Sequence, residues 1–388
     1  GNDIYNLEEG YQARAGSNTL ELKSGAGIDI INVNTPIEGG VFNLQEGNDT
    51  INFNKDSYNL SDWERVYGGN GDDTFNQKGY NRYFEFHGQE GNDTFNVSGQ
   101  GIGSLSNYFY IRGQEGNDSF NIDGDFGDNV QSSLYGGYGD DIIDISKSKG
   151  LTTNTSTIIN GEEGNDSLIG NSDGTRLIGG NNSDLLEGGG GNDILYGNNI
   201  NHQNNNSSFI DIAVYSGTSN DYKVSRATDS TFGYVYYIQD TREGSPDGLD
   251  TLYEIDKLRF SDGDFDLAAY YSDKERSGAG HDKLTGTSGD DLIDGFGGND
   301  TITGLAGDDI LLGGDGDDEI DGGTGKNRLY GDAGDDKIIS SGSVDFVDGG
   351  DGNNEITITS NAVAGTYQSG TGNDIYNLEE GYQARAGS

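Results

Sequence analysis

Residues 277–339 read SGAGHDKLT, GTSGDDLID, GFGGNDTIT, GLAGDDILL, GGDGDDEID, GGTGKNRLY and GDAGDDKII, seven nonapeptides without a gap. The prevailing frame has Gly at positions 1 and 4, Asp at 6 and an apolar residue at 8. It recurs upstream in GGNGDDTFN at 68–76, GQEGNDTFN at 88–96, GQEGNDSFN at 113–121 and GGYGDDIID at 136–144. A shorter run opens with GEEGNDSLI at 161 and closes with GGGGNDILY at 188. Self-similarity at a short fixed period is the mark of a stacked repeat architecture, in which each unit buries its apolar face only against its neighbours.

The residue types state the local chemistry. Glycine takes positive φ without steric cost and lets backbone approach a ligand, so a glycine-dense hexapeptide describes a tight turn with inward carbonyls. An Asp at the exit of that turn adds a carboxylate. Such a turn supplies about half the shell of a hard cation that takes six to eight oxygens, and the next turn of the same column supplies the rest. Side chains alternate along a strand, so the apolar residue two after the Asp points into the stack. The expected unit is a short turn, a short strand and an ion between layers.

On these motifs the chain resembles the hemolysin-type calcium-binding, or RTX, nonapeptide-repeat family. The resemblance extends over nearly the whole chain except about 200–276. It implies an all-β fold, a parallel β-roll or β-helix solenoid, with one β-rich insert. It also implies Ca2+ at many sites, with the motif aspartates Asp29, Asp49, Asp73, Asp93, Asp118, Asp141, Asp166, Asp184, Asp193, Asp282, Asp291, Asp300, Asp309, Asp318, Asp336 and Asp374 as ligands.

Spacing divides the chain. From Asp29 to Asp166 consecutive motif aspartates lie 20 to 25 residues apart, while those of the tandem run lie 9 apart. Two nonapeptides per coil put a turn on both edges and predict two calcium columns; one motif per wider coil predicts a single column. The expected organisation is a solenoid with one turn per coil over 1–160, tandem β-roll over 161–199, linker and β-rich insert over 200–276, tandem β-roll over 277–339 and solenoid again over 340–388. The wider coils carry YNRYFEFH at 80–87 and LSNYFYIR at 105–112, β-prone stretches expected chiefly to fill the core. Asn32, Asn52, Asn76, Asn96 and Asn121 recur at position 9, where stacking predicts an amide ladder.

Charge and composition exclude several function classes. With 67 Asp and Glu against 22 Lys and Arg the formal charge is −45, which repels nucleic acid and calls for a positive partner. No apolar run is long enough to span a membrane, and there is no Cys for disulfides or thiolate metal sites. His87, His202 and His281 are scattered and form no H-E-x-x-H pattern, and no G-x-S-x-G elbow is present. His281 falls at position 5, where a surface role is expected. The paired acids recur too often to mark one active centre, so the chain is not expected to be an enzyme.

Residues 1–17, GNDIYNLEEGYQARAGS, recur as residues 372–388, an offset of 371. SGT at 369–371 supplies the three positions that the first nonapeptide lacks. Further copies of the same unit, joined covalently or head to tail, are therefore expected partners, with cell-surface polysaccharide as another candidate. The reading is a secreted, calcium-stabilised structural protein of an extracellular filament, sheath or matrix fibre, similar to fibrillar RTX surface proteins such as the oscillin of gliding cyanobacteria. The stalk of a giant RTX adhesin and the RTX portion of a secreted enzyme or toxin are the alternatives.

Overall fold

The computed structural model describes residues 1–8, 20–35, 40–54, 64–78, 83–100, 108–125, 131–151, 157–198, 209–229, 233–269, 280–359, 361–362 and 364–379. His202, residues 199–208 of the polar linker, residues 277–279 of the tandem run and most of the two terminal copies, 9–17 and 380–388, lie outside these. The described chain is a β-solenoid with almost no helix. It divides into two compact units, one of residues 1–219 and 242–264 and the other of 220–241 and 265–388.

In the first unit successive strands alternate between two parallel ladders, so each coil adds one rung to each. One ladder climbs through Ile4–Leu7, Ile30–Val33, Thr50–Phe53, Thr74–Lys78, Thr94–Gln100 and Ser119–Asp125, and reaches Lys257–Phe260. The other climbs from Leu20–Lys23 through Gly40–Glu46, Glu64–Asn70, Tyr83–Glu90 and Tyr108–Glu115 to Leu249–Tyr253. Register pairs like with like: Phe75 lies opposite Phe95, and Asn76 opposite Asn96. Parallel pairing sends every second side chain into the same core, where Phe42, Phe75, Phe86, Phe95, Phe109 and Phe120 are fully buried. The 80–87 and 105–112 stretches thus contribute Phe84, Phe86, Phe109 and Ile111 to the core and His87, Tyr110 and Arg112 to the outer face. Tyr67, His87, Tyr110 and Tyr135 stack along that outer face at centroid spacings of 5.0, 5.6 and 5.7 Å.

The expected amide ladder is present. The Nδ2 of Asn32, Asn52, Asn76, Asn96 and Asn121 each donates to the Oδ1 of the asparagine one coil earlier, at 2.8 to 2.9 Å, beginning at Asn6.

The 209–270 stretch is more regular than its lack of glycine motifs predicts. Ile212–Val214 and Lys257–Phe260 are consecutive rungs of one ladder, and Leu249–Tyr253 is a rung of the other. What departs from the solenoid is the antiparallel hairpin Tyr222–Asp229 with Gly233–Asp240, which belongs to the second unit.

The second unit repeats the plan on narrower coils. Lys283–Thr285, Thr301–Thr303, Glu319–Asp321, Lys337–Ser340, Glu355–Ile358 and Ile375–Leu378 form one ladder, and Leu292–Asp294, Ile310–Asp315, Arg328–Ala333, Asp345–Asp348 and Gly365–Gln368 the other. Ile302, Leu311, Ile320, Leu329 and Ile338 are its fully buried axis. The hairpin packs on this unit, where the Tyr237 hydroxyl meets that of Tyr330 at 2.6 Å.

Candidate metal centres

Every motif aspartate stands between a glycine turn and a strand, and the solenoid stacks them in columns. In the first unit the backbone N–H of each donates to Oδ1 of the motif aspartate one coil later: Asp29 to Asp49, Asp49 to Asp73, Asp73 to Asp93, Asp93 to Asp118, Asp118 to Asp141, Asp141 to Asp166 and Asp166 to Asp184, at 2.7 to 2.8 Å. On the opposite edge Thr175, Asp193 and Asp250 form a separate stack, the Thr175 N–H donating to Asp193 Oδ1 and the Asp193 N–H to Asp250 Oδ1. In the second unit one column joins Asp282, Asp300, Asp318, Asp336, Asn354 and Asp374, and the other joins Asp291, Asp309, Asn327 and Asp345. All sixteen aspartates singled out from the sequence take these positions.

The second carboxylate oxygen is the informative atom. Oδ2 of Asp29, Asp49, Asp73, Asp93, Asp118, Asp141, Asp166, Asp184, Asp193, Asp300, Asp309, Asp318 and Asp336 is buried and has no hydrogen-bond donor. An unpaired buried charge is among the most costly features a fold can carry. From Asp73 to Asp184, and at Asp300, Asp309, Asp318 and Asp336, this Oδ2 also faces a glycine carbonyl of the next coil. A methyl group built on Gly88 would lie 2.0 Å from Asp93 Oδ2 and 2.6 Å from Gly113 O; one on Gly313 would lie 2.3 Å from Asp318 Oδ2 and 2.8 Å from Gly331 O. Two oxygens converge there with no proton between them. That is why position 1 favours glycine, although Ser24, Leu44 and Ser340 take it in the turns that end in Asp29, Asp49 and Asp345.

Position 4 is glycine for a second reason: Gly71, Gly91, Gly116 and Gly139 hold φ between 123° and 127°, and a Cβ there would come within 2.1 Å of the carbonyl of the glycine one coil below.

Burial is the chief cause of the proton affinity of these groups. It pushes Asp309 up to about 6, Asp118 to about 7, Asp93 and Asp336 to about 8 and Asp184 to about 9, with neighbouring aspartates of the column adding to most of these shifts. A divalent cation relieves the same penalty without a proton. The donor set fits a hard one: carboxylate and carbonyl oxygens, with no thiolate and no imidazole in the turn interior. Among the described residues no group of three or more His, Cys, Asp or Glu side chains could hold an ion by itself. Backbone carbonyls therefore have to complete any shell. The motif Asp of one turn and the glycine carbonyls of the turns around it are the residues that would hold calcium.

Three of the sixteen differ from the rest. Asp282 is exposed on the first rung of its ladder, Asp374 is half-buried on the last, and Asp291 Oδ2 already accepts from Thr287 N at 2.6 Å and Thr287 Oγ1 at 3.0 Å.

Sequence reasoning passed over four further members of the columns: Asp211, Asp250, Asp256 and Asp345. Asp184 donates to Asp211 at 2.9 Å, and Asp211 to Asp256 at 2.9 Å. DIA, DTL and DFV at 211, 250 and 345 keep the Asp-x-apolar end of the motif, with Gly248 at position 4 before Asp250 as the one motif glycine, and that residue pair is the signal that could have found them. Position 5 was also underrated. Its side chains form an outer ladder of opposite polarity, in which the backbone N–H of each coil donates back to the preceding side chain: Asn92 to Asp72, Asn117 to Asn92, Asn165 to Asp140 and Asp335 to Asp317, at 2.7 to 2.9 Å. His281 takes part, its Nδ1 accepting from Asn299 N at 2.8 Å.

The RTX calcium-binding nonapeptide repeat, in the form of a four-copy model, matches residues 61–76, 152–174, 169–199, 276–311, 294–329 and 321–356. These segments cover less than half of the chain, and the same turn geometry continues between them. No curated protein matches the chain. Over these segments the chain carries RTX calcium-binding nonapeptide repeats, and it is similar to that family.

Proposed function

We propose that the chain is a secreted structural protein whose solenoid is held together by calcium bound at the motif aspartates from Asp29 to Asp374, and which builds an extracellular filament, sheath or matrix fibre. The observation that carries this reading is the column of buried, donor-less Oδ2 atoms, most of them opposed by a carbonyl of the next coil. Extracellular calcium modules bind with dissociation constants of roughly 0.1 to 1 mM. At tenfold saturation each site contributes about 1.4 kcal/mol, so a handful of sites rivals the whole net stability of a domain, about 5 to 15 kcal/mol. Low calcium would leave the chain unfolded and ready for export; millimolar calcium outside would fold it. The reading assigns no catalytic role.

Continuation into further copies is supported by the repeated IYNL strand. Ile4–Leu7 pairs on one side with Ile30–Val33, and its identical copy Ile375–Leu378 pairs on its other side with Glu355–Ile358. Ile4 and Leu378 are left 66% and 61% exposed. One strand type thus has a known partner on each side, which is what a ladder running from one 371-residue unit into the next requires.

The test is a calcium titration of the chelated full chain followed by far-ultraviolet circular dichroism. The β-sheet signal should be absent in excess chelator and appear with millimolar calcium. Retention of the full signal in chelator would refute the reading.

A further inference from the structure

We propose that the turns ending in Thr175, Asn327 and Asn354 bind no calcium and divide the columns into separately loaded segments; this rests on the calcium reading above. At each of these turns the structure puts a proton donor or apolar atoms where other turns of the columns put a bare carboxylate oxygen.

Asn354 is the plainest case. It is buried, 1% exposed, and keeps the column's backbone bonds, accepting from Asp336 N at 2.9 Å and donating its own N–H to Asp374 Oδ1 at 2.8 Å. The atom that faces the next coil's carbonyl is Nδ2, which donates to Ser369 O at 3.4 Å. A methyl group on Gly349 would meet Asn354 Nδ2 and Ser369 O, both at 2.9 Å. The amide hydrogen occupies the place between carboxylate and carbonyl that a cation would take. Thr175 makes the same exchange in the first unit: its Oγ1 faces Gly188 O at 3.3 Å and donates to Asp193 Oδ1 at 2.9 Å.

Asn327 closes its turn differently. It too is fully buried and keeps the ladder, accepting from Asp309 N at 3.0 Å and donating to Asp345 Oδ1 at 2.9 Å. A methyl group on Gly322, however, would meet both Leu329 methyls, at 3.0 and 3.1 Å, and Asn327 Nδ2 at 3.2 Å; no oxygen is among its nearest neighbours. The flanking Lys326 is basic at position 5, where His281, Asp290, Asn299, Asp308, Asp317, Asp335 and Asn353 stand in seven other turns and Val344 in the turn of Asp345. One coil further, Asp345 Oδ2 is already saturated by Ser340 Oγ at 2.6 Å and Gly342 N at 3.1 Å. With Asp291 Oδ2 held by Thr287, Asp309 is the one aspartate of that column whose Oδ2 is buried and donor-less. The opposite column has three in succession, Asp300, Asp318 and Asp336. The two edges of the second unit are therefore unequal: calcium loads chiefly along one.

The experiment counts calcium on the full chain by equilibrium dialysis and atomic emission. Asn327→Asp and Asn354→Asp should each raise the count by about one ion per chain, and Asp318→Asn, which copies the amide turn, should lower it by about one. A wild-type crystal grown in calcium gives an independent readout that needs no variant: anomalous peaks beside Asp300, Asp318 and Asp336, and none beside Asn327 or Asn354. Peaks at the amide turns, or an unchanged count in both Asn→Asp variants, would overturn the inference while leaving the calcium reading intact. A wild-type chain that binds no calcium at all would overturn the calcium reading itself.

Discussion

In the wide coils between residues 40 and 145, most strands send two side chains inward: Ile51 and Phe53, Phe84 and Phe86, Phe95 and Val97, Phe109 and Ile111. In the narrow coils from 301 to 340 the axis is one apolar residue per strand, Ile302, Leu311, Ile320, Leu329 and Ile338, and only further on does Glu355–Ile358 send two, Ile356 and Ile358. The turns are alike in both, so the difference isolates what the core contributes. A fully buried Phe or Ile is worth about 1.5 to 3 kcal/mol, as much as or more than one calcium site at tenfold saturation, about 1.4 kcal/mol. Wide coils also gain from ring stacking, with Phe75, Phe95 and Phe120 at centroid spacings of 4.7 and 4.8 Å. The lesson is that a solenoid can trade metal for core width. On the proposed calcium reading, the narrow coils should rely on the ion and the wide ones share the load.

The largest effect should therefore come from calcium withdrawal. As chelator is added, amide exchange followed by mass spectrometry should show residues 300–340 losing protection before residues 84–122. Losing two sites costs about 2.8 kcal/mol, or about 100-fold in the opening equilibrium. Loss of protection in both regions at one calcium level would break the comparison.

Next in size is a cavity in the wide core. Phe95→Ala removes the middle ring of a stack and should cost about 3 to 5 kcal/mol. It should also move the exchange of residues 84–122 to the calcium level at which the narrow coils open. If the variant loses stability but its calcium dependence stays put, core width and metal are not interchangeable.

Glu64 breaks the pattern of the wide core and allows a pH test. It fills an inward position, 1% exposed, between Gly40 and Phe84 in the ladder, and neither carboxylate oxygen has a partner. Burial pushes its pKa up to about 8, from 4.5. Because the folded value is the higher one, Glu64 costs nothing below the unfolded pKa. As pH rises, the unfolded chain ionises first and stability falls by up to about 1.4 kcal/mol per pH step until the folded pKa is passed. Glu64→Gln should remove this slope. Melting temperatures of both proteins at saturating calcium should diverge from about pH 5 and run parallel above about pH 8; a constant difference across that range would show that Glu64 is not held uncharged in the core.

Much of this was legible in the sequence because a period of nine leaves little freedom. Gly at positions 1 and 4, Asp at 6 and an apolar residue at 8 specify the turn, the strand and its inward side, and the amide ladder followed from Asn recurring at position 9. Three things were not legible. Asp211, Asp250 and Asp256 join the columns without the full glycine motif, because neighbouring coils template their backbone through ladder bonds that a one-dimensional pattern does not encode. The position 5 ladder was hidden because Asn, Asp, Ser and His all offer an acceptor, so a functional constraint looks like variation. The inequality of the two edges depends on single atoms, Nδ2 against Oδ2 at Asn327 and Asn354, and its meaning comes from what the adjacent carbonyl faces.

The smallest predicted effect concerns the position 9 amide ladder, which among the described residues only the wide coils have. Asn96 donates to Asn76 and accepts from Asn121, at 2.8 and 2.9 Å. Asn96→Ala removes both bonds at a net worth of about 0.5 to 1.5 kcal/mol each. Asn76 and Asn121 are only partly buried or exposed and can turn to water, which puts the loss at the low end, about 1 to 2 kcal/mol in a denaturant melt. Thr303 holds the equivalent position 9 in the narrow coils, with no amide stack, and Thr303→Ala should cost less than about 0.5 kcal/mol. Asn96→Asp separates the two bonds, since a carboxylate still accepts from Asn121 but cannot donate to Asn76, and its loss should fall between the other two. If Asn96→Ala and Thr303→Ala cost the same, the amide ladder follows from the stacking of the wide coils without stabilising them, and the core alone accounts for their lower need for calcium.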